Sequence, residues 1–393
     1  MKSTETQGFI PYGRQTITEA DIAAVAAVLR GPYLTQGPYV PEFEKAVSSR
    51  VCAKHGVAAN SATSALHIAC LALGLGPGDR LWTSPITFVA SANCGRYCGA
   101  EIDFVDIDRS TGLISVAKLE EKLSDAARKG TLPKVIVPVH LCGTSCNMAA
   151  IGQLAEEYEV TILEDASHAI GGQYEGRPVG NCHYSKISIF SFHPVKIITT
   201  GEGGMATTNE GKLAQRMQDL RSHGITKDKN RFKTKNISPW TYEQQDLGFN
   251  YRLSDIQAAL GLSQLARLDE ILRERKILLE IYRQNLATLP LQFLEIPSNV
   301  DSSLHLAVVR LIDRSAEYHR YIFEELRRAN IGVQLHYSPV HLQPYYQKLG
   351  FAEGDYPEAE AYASSAISLP LYPGLKSREQ QKVVEVLNQK LKA

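Results

Sequence analysis

The chain has no charge of one sign in excess: its 393 residues hold 42 Lys+Arg against 42 Asp+Glu. That balance leaves no field to draw in nucleic acid or an anionic membrane surface. Any anion must then be bound locally, by backbone amides and a few placed side chains. No apolar run approaches the length of a membrane span; Val135-Ile136-Val137-Pro138-Val139 is soon stopped by His140 and Gly143. The stretch Met1 to Gly8 lacks the apolar core of a signal peptide, so the cytoplasm is the expected compartment. Cysteine is sparse and odd in number, seven in all, and free thiols are expected. The pairs Cys94/Cys98 and Cys142/Cys146 are spaced more widely than a zinc C-x-x-C knuckle, so no metal is expected. No P-loop and no G-x-G-x-x-G pattern occurs, which argues against a nucleotide-binding module of the usual α/β kinds. No internal repeat or low-complexity tract is visible.

What the chain does have is alternation. Thr18-Glu19-Ala20-Asp21 reads as an N-cap with an acidic first turn, opening a helix that Gly31-Pro32 stops. A second helix is expected from Val40 to Arg50, then a short strand at Gly56 to Asn60 and a helix from Ser61 to Leu73. Further β-rich runs follow at 80–83, 102–105, 135–139, 160–163, 186–190 and 204–207, separated mostly by helical segments such as 114–129 and 148–158. Such alternation predicts an α/β fold with a mainly parallel sheet covered on both faces. At this length two domains are expected, and the character changes near residue 250. We divide the chain into a large domain, 1–250, and a smaller C-terminal α/β domain, 251–393. In the latter we expect one helix over 254–286, a strand at 303–311, a helix at 317–328 and a strand at 332–337. Residues 227–235 read as a solvated charged loop.

Chemistry concentrates in Ser191-Phe192-His193-Pro194-Val195-Lys196 and the Thr200-Gly201-Glu202-Gly203-Gly204 turn after it. A lysine in an uncharged, partly apolar run can be tuned by desolvation to an amine that condenses with a carbonyl. Upstream, a strand delivers Glu164-Asp165, then Ala166-Ser167-His168, and a strand-end aspartate can hold a pyridinium nitrogen protonated. Those are the two electronic demands of pyridoxal 5'-phosphate. Ser61-Ala62-Thr63 at a helix N-terminus would suit a phosphate ester, although Ser61 or Thr63 is equally readable as a plain cap. Ser191 is readable as a turn former and Phe88 as core, as well as phosphate ligand and ring-stacking partner. Asp165 has the alternative of capping the next segment. Glu164 should point to the opposite face of the strand.

The order of these pieces, together with Gly248-Phe249-Asn250-Tyr251-Arg252-Leu253, resembles the DegT/StrS family of sugar aminotransferases. That family lies within the fold type I, aspartate aminotransferase-like superfamily of pyridoxal phosphate enzymes, and the resemblance runs from Pro11 to about Tyr372. It implies that Lys196 bonds the cofactor and shuttles protons, that Asp165 pairs with the pyridine nitrogen, and that His168 lies beside the ring. It further implies that Phe88 stacks on the ring and that Ala62, Thr63 and Ser191 hold the phosphate. Asn250 would reach in from a second subunit of an obligate homodimer. Ala62 stands where glycine is frequent in the wider family. Some relatives carry histidine in place of the lysine and act as dehydratases; Lys196 therefore favours transamination.

Segments 222–226, 239–243 and 258–265 most resemble the branch that transfers an amino group from L-glutamate to C4 of a UDP-linked 4-keto-6-deoxy-N-acetylhexosamine, in pseudaminic acid biosynthesis. By that resemblance Tyr12, Tyr33, Leu34 and Thr35 contact the nucleotide sugar, and Gln334, Leu335, His336 and Tyr337 close over it. Leu335 stands where the branch more often has valine. The alternatives are a 3- or 4-amino transfer on another UDP, dTDP or GDP sugar, and a non-catalytic, cofactor-loaded regulator.

Overall fold

Seven short strands rich in β-branched and aliphatic residues form the central sheet of the computed structural model, which describes residues 8–235 and 237–392. They are β1 (His55–Ala59), β2 (Arg80–Thr83), β3 (Glu101–Phe104), β4 (Val135–Val137), β5 (Thr161–Asp165), β6 (Ile187–Ser191) and β7 (Gly204–Thr208). Their spatial order is β1-β7-β6-β5-β4-β2-β3, and β7 runs antiparallel to both of its neighbours while the other pairings are parallel. The mainly parallel α/β sheet is therefore as expected. Strands β4 and β6 are buried along their whole length, which is why they read as continuous apolar runs instead of alternating.

Helices form where the capping chemistry predicts. In α1 (Glu19–Arg30) the Thr18 side chain accepts from the Asp21 amide while Asp21 accepts from the Thr18 amide, a reciprocal capping box. Next come α2 (Tyr39–Arg50), α3 (Ala62–Ala72), α4 (Ala90–Tyr97), α5 (Val116–Lys129), α6 (Met148–Glu157) and α7 (Gly211–Arg221). Gly130 ends α5 in the left-handed region at φ 65°, a conformation glycine adopts without strain.

Beyond residue 250 the expectations need three corrections. The single helix over 254–286 is two, α8 (Asp255–Ala266) and α9 (Leu268–Leu286), broken at Arg267. Arg267 leaves helical geometry (φ −103°, ψ 7°), and its guanidinium donates to Asp21 at 2.8 Å and to the Thr16 carbonyl at 3.2 Å. The strand expected at 303–311 is confined to β9 (Ala307–Leu311), after β8 (Leu291–Phe293), because the preceding residues are drawn to the 142–143 turn. There the Ser303 amide donates to the Gly143 carbonyl and the His305 amide to the Cys142 carbonyl. No strand forms at 332–337: the segment meets β10 (Ala366–Leu369) in one isolated bridge, Gln334 to Ser368, and the Gly332 amide turns to the Ile10 carbonyl. The helix α10 (Ala316–Arg328) is as expected. Residues 227–235 contain a short helical turn, Lys229–Arg231, in which Arg231 pairs with Asp219.

The division expected at residue 250 falls just ahead of α8, whose partners are α1 and α2. A separate core, containing Tyr282, Val309, Ile322 and Val383, gathers around the β8-β9-β10 sheet. Two buried carboxylates, Asp21 and Asp255, link α8 to the chain's beginning. Asp255 accepts from the amides of Gly37 at 2.6 Å, Tyr39 at 2.8 Å and Val40 at 3.2 Å. Replacing Asp255 with alanine strands those donors, so we expect a loss of about 3 kcal/mol. Chemical denaturation should show an unfolding midpoint lower for Asp255→Ala than for Asp255→Asn, which keeps one acceptor oxygen.

Candidate functional site

Parallel pairing of β5 with β6 brings the ends of two strands to one edge of the sheet, with Asp165 opposite Ile189. Open parallel sheets bind ligands at their carboxyl ends for this reason. Here that edge is the floor of a cavity of about 680 Å³. Asp165, His168, Ser191 and Lys196 line it, with Ala62 and Thr63 from the start of α3 and Phe88 from the turn before α4. Tyr12, Gln334, Leu335, His336 and Tyr337 form the opposite wall. Tyr33, Leu34, Thr35 and Asn250 do not line it. Thr35 instead bridges to Ser254 and Asn250 to Ser222, and Tyr33, Leu34 and Asn250 are exposed.

Lys196 sits in a turn that its neighbours hold closed. Its amide donates to the His193 carbonyl at 2.9 Å, and Thr199 Oγ1 donates to the Phe192 carbonyl at 2.9 Å. Gly201 completes the turn at φ 83°. Burial pulls the Lys196 amine down to about 8, against the attraction of Asp165. The nearby Cys142 thiol is pushed up by burial and is uncharged, so the carboxylate is the one opposing charge that matters.

Asp165 is met on both oxygens. Ser91 Oγ donates to Oδ2 at 2.5 Å and the Ser167 amide to Oδ1 at 3.0 Å. Thr87 Oγ1 lies 2.7 Å from Ser91 Oγ, so a buried hydroxyl pair backs the carboxylate. The sequence reading missed this pair, although a Thr and a Ser four residues apart face one way on a helical turn. Glu164 does point to the opposite face, where it meets His140 Nε2 at 2.7 Å.

His168 Nδ1 accepts from the Cys142 amide at 3.3 Å, and its Nε2 lies 3.1 Å from Tyr337 Oη. The His305 ring, also missed from the sequence, is 4.4 Å away centroid to centroid. Burial, then the Lys196 charge and His336, hold His168 well below the usual imidazole range. Burial first and Lys196 second bring His336 down to about 3. His193 and Glu202 also line the cavity without having been assigned a role.

The phosphate end can be tested on geometry. Ser61 spends its side chain as the cap of α3, accepting from the Ser64 amide at 3.1 Å, while its carbonyl takes the Ala65 amide. The Ala62 and Thr63 amides belong to the first turn and have no intrahelical acceptor. A Cβ at Gly204 would fall 2.4 Å from the Ala62 nitrogen, so glycine is what lets β7 press against this helix start. An anion-binding helix terminus, a partly desolvated amine and a doubly supported carboxylate fit the phosphate, aldehyde and pyridine nitrogen of pyridoxal phosphate.

Comparison with known proteins agrees with that fit. Residues 15–388 match the DegT/DnrJ/EryC1/StrS aminotransferase family. The spore coat polysaccharide biosynthesis protein SpsC of Bacillus subtilis is 37% identical over 384 residues, covering 96% of each chain. The UDP-4-amino-4,6-dideoxy-N-acetyl-β-L-altrosamine transaminase of Campylobacter jejuni is 36% identical over 379 residues, again 96% of each. Among solved structures, Helicobacter pylori PseC, an aminotransferase involved in pseudaminic acid biosynthesis, superposes with a TM-score of 0.90 at 30% identity, covering 98% of this chain and 99% of that one. The PLP-form of the putative sugar aminotransferase Spr1654 of Streptococcus pneumoniae gives 0.89 at 30% identity and the same coverage.

A condensing amine must be neutral, which Lys196 becomes as pH rises through about 8. The rate at which apoprotein takes up pyridoxal phosphate, followed by stopped-flow absorbance, should therefore climb across that pH and level off above it. A rate indifferent to pH there would contradict the burial argument.

Proposed function

Because the chain belongs to the DegT/DnrJ/EryC1/StrS aminotransferase family and is a pyridoxal phosphate-dependent sugar aminotransferase, we propose that it moves the amino group of L-glutamate to C4 of a UDP-linked 4-keto-6-deoxy-N-acetylhexosamine, the amination step of a pseudaminic acid-type pathway. The observation that carries the chemistry is the half-buried Lys196 amine, lining one cavity with Asp165. Support for the sugar comes from the Campylobacter relative and the Helicobacter structure. SpsC is as similar, which keeps a different nucleotide-linked keto sugar as the second reading.

Each side chain then has a task. The cofactor, when bound, supplies the electron sink that stores the amino group between the two substrates. Lys196 Nζ bonds it at rest and, once freed, takes and returns the substrate's α-proton. Asp165 holds the pyridine nitrogen protonated, and Ser91 and Thr87 keep that carboxylate in place. The Ala62 and Thr63 amides and Ser191 would hold the phosphate, with Phe88 and His168 lining the same cavity beside it. Tyr12 and the 334–337 segment orient the sugar.

Tyr33, Leu34, Thr35 and Asn250 take their places in this reading as contributions to the cavity of a second copy, in a homodimer with shared sites. The compartment is the cytoplasm, where nucleotide sugars are made; among the described residues no helix is long and apolar enough to cross a membrane.

Lys196→Ala should retain the fold by circular dichroism and lose turnover by at least about a thousandfold, since among the described residues Lys196 is the sole lysine lining the cavity and the amine assigned to hold and return the proton. The assay is release of 2-oxoglutarate from L-glutamate, with mass detection of the aminated product for UDP-, dTDP- and GDP-linked keto sugars. Turnover on a dTDP or GDP sugar alone would move the assignment to the second reading. Normal turnover by Lys196→Ala would remove the proposal altogether.

A further inference from the structure

We infer that the Cys142 turn locks His168 in its Nε2–H tautomer, and that this makes the Tyr337 hydroxyl a hydrogen-bond donor to an acceptor oxygen of the substrate in the cavity. The inference rests on the aminotransferase reading for the substrate, but its first half is a property of the protein alone.

A backbone amide can only donate, so the Cys142 N–H at 3.3 Å requires a lone pair on His168 Nδ1. An uncharged imidazole carries one ring proton, which is then on Nε2. Nε2 faces Tyr337 Oη at 3.1 Å, so the imidazole donates and the phenol oxygen accepts. The Tyr337 proton is left for another acceptor. Among the described residues the hydroxyl has no second partner, and Tyr337 lines the cavity. Its acidity is suppressed by burial, with neighbouring Asp165 acting in the same direction, so the proton stays on the phenol.

The tautomer is set by a tightly packed and hydrogen-bonded turn. Cys142 lies at φ 59°, in the left-handed region that side-chain-bearing residues seldom occupy. Gly143 follows at φ 91°, where a Cβ would fall 2.4 Å from Ser303 Oγ and 2.9 Å from the His168 carbonyl. Ser303 Oγ donates to that carbonyl at 2.8 Å, and the His305 amide donates to the Cys142 carbonyl at 2.8 Å. The turn is thus fastened to His168 on one side and to the 303–305 segment on the other. His168 and Cys142 are positioning residues in this scheme, and Tyr337 is the group that touches substrate.

Two measurements test it. Selective ¹⁵N-histidine labelling of the holoenzyme with long-range proton–nitrogen correlation, assigned by His168→Gln, should show the Nε2–H pattern for His168. An Nδ1–H or doubly protonated pattern would overturn the lock, and the result does not depend on turnover. Separately, the two half-reactions are followed by cofactor absorbance in Tyr337→Phe. Loss of a hydrogen bond made to the reacting substrate should lower kcat/KM by about ten- to a hundredfold in one half-reaction. A loss confined to L-glutamate identifies a carboxylate as the acceptor, and one confined to the UDP-linked keto sugar identifies an oxygen of the nucleotide sugar. His168→Leu should lose at least as much, and His168→Gln, which keeps a donor toward Tyr337, should lose less than His168→Leu in the same half-reaction. Unchanged kcat/KM in both half-reactions would overturn the donor role even with the tautomer upheld. If wild-type enzyme turns over neither substrate, the functional reading fails while the NMR result still decides the lock. Should Tyr337→Phe fail to fold, the NMR arm still decides the lock, and the comparison of His168→Leu with His168→Gln decides the donor role.

Discussion

A half-buried lysine amine and a buried carboxylate share one cavity and oppose each other's chemistry, and the arrangement of this molecule follows from keeping both. Burial alone would drive Lys196 to its neutral form; the Asp165 charge pulls it back, and the balance rests at about 8. A carboxylate buried beneath that cavity needs its lone pairs met by the protein. Hence the Thr87–Ser91 hydroxyls on one oxygen and the Ser167 amide on the other. Those donors come from the turn before α4, from the first turn of α4 itself and from the chain just past β5, which means the order of strands in the sheet is also the wiring of the site.

The far wall solves a different problem. Residues 303–305 and 334–338 face the sheet edge without belonging to a continuous strand, so regular ladders cannot hold them. Arg275, on α9 and only 1% exposed, does part of that work. Its guanidinium donates to the carbonyls of Leu304 at 3.3 Å, His305 at 3.1 Å and Leu371 at 3.1 Å. Burial lowers it to about 10, still a cation at neutral pH, and the three carbonyl dipoles stand in for a counter-ion. Holding the 304–305 backbone fixes the His305 ring against His168, so a buried charge far from the reacting atoms shapes the cavity that receives them.

Much of the large sheet was legible because its strands are short apolar runs bounded by glycine, proline and polar turns. The α1 cap was legible because Thr18 and Asp21 satisfy each other locally. Where tertiary contacts overrode local preference, the sequence misled. Nothing in 254–286 marks a break at Arg267, since that side chain is claimed by Asp21, 246 residues away in sequence. The 332–337 run has strand-like residues, yet its amides are taken by Ile10 and Ser368 in turn. In the site, Asp165 and Lys196 were readable as residue types at strand ends. Ser91 and His305 were not, because a serine in a helix and a histidine after a turn look the same whether they support a carboxylate or face water.

The cavity's charge inventory carries the last step. Among the described residues that line it, Lys196 is the sole lysine and there is no arginine. A nucleotide diphosphate and a dicarboxylate donor both bring negative charge that one lysine, itself committed to the cofactor, cannot answer. Amides at the start of α3 can meet one phosphate, and those are matched to the cofactor's. Meanwhile Tyr33, Leu34 and Thr35 lie beside Ser254 and Asp255, with the Asp255 amide donating to the Leu34 carbonyl, in an exposed strip that does not line the cavity. Arg252 follows Asn250 on the same stretch of chain. A homodimer in which that strip faces the partner's cavity would supply both the missing sugar contacts and a cation. The proposed assembly and the proposed substrate therefore depend on each other: an anionic nucleotide sugar is the kind of ligand that one copy of this chain is poorly equipped to hold alone.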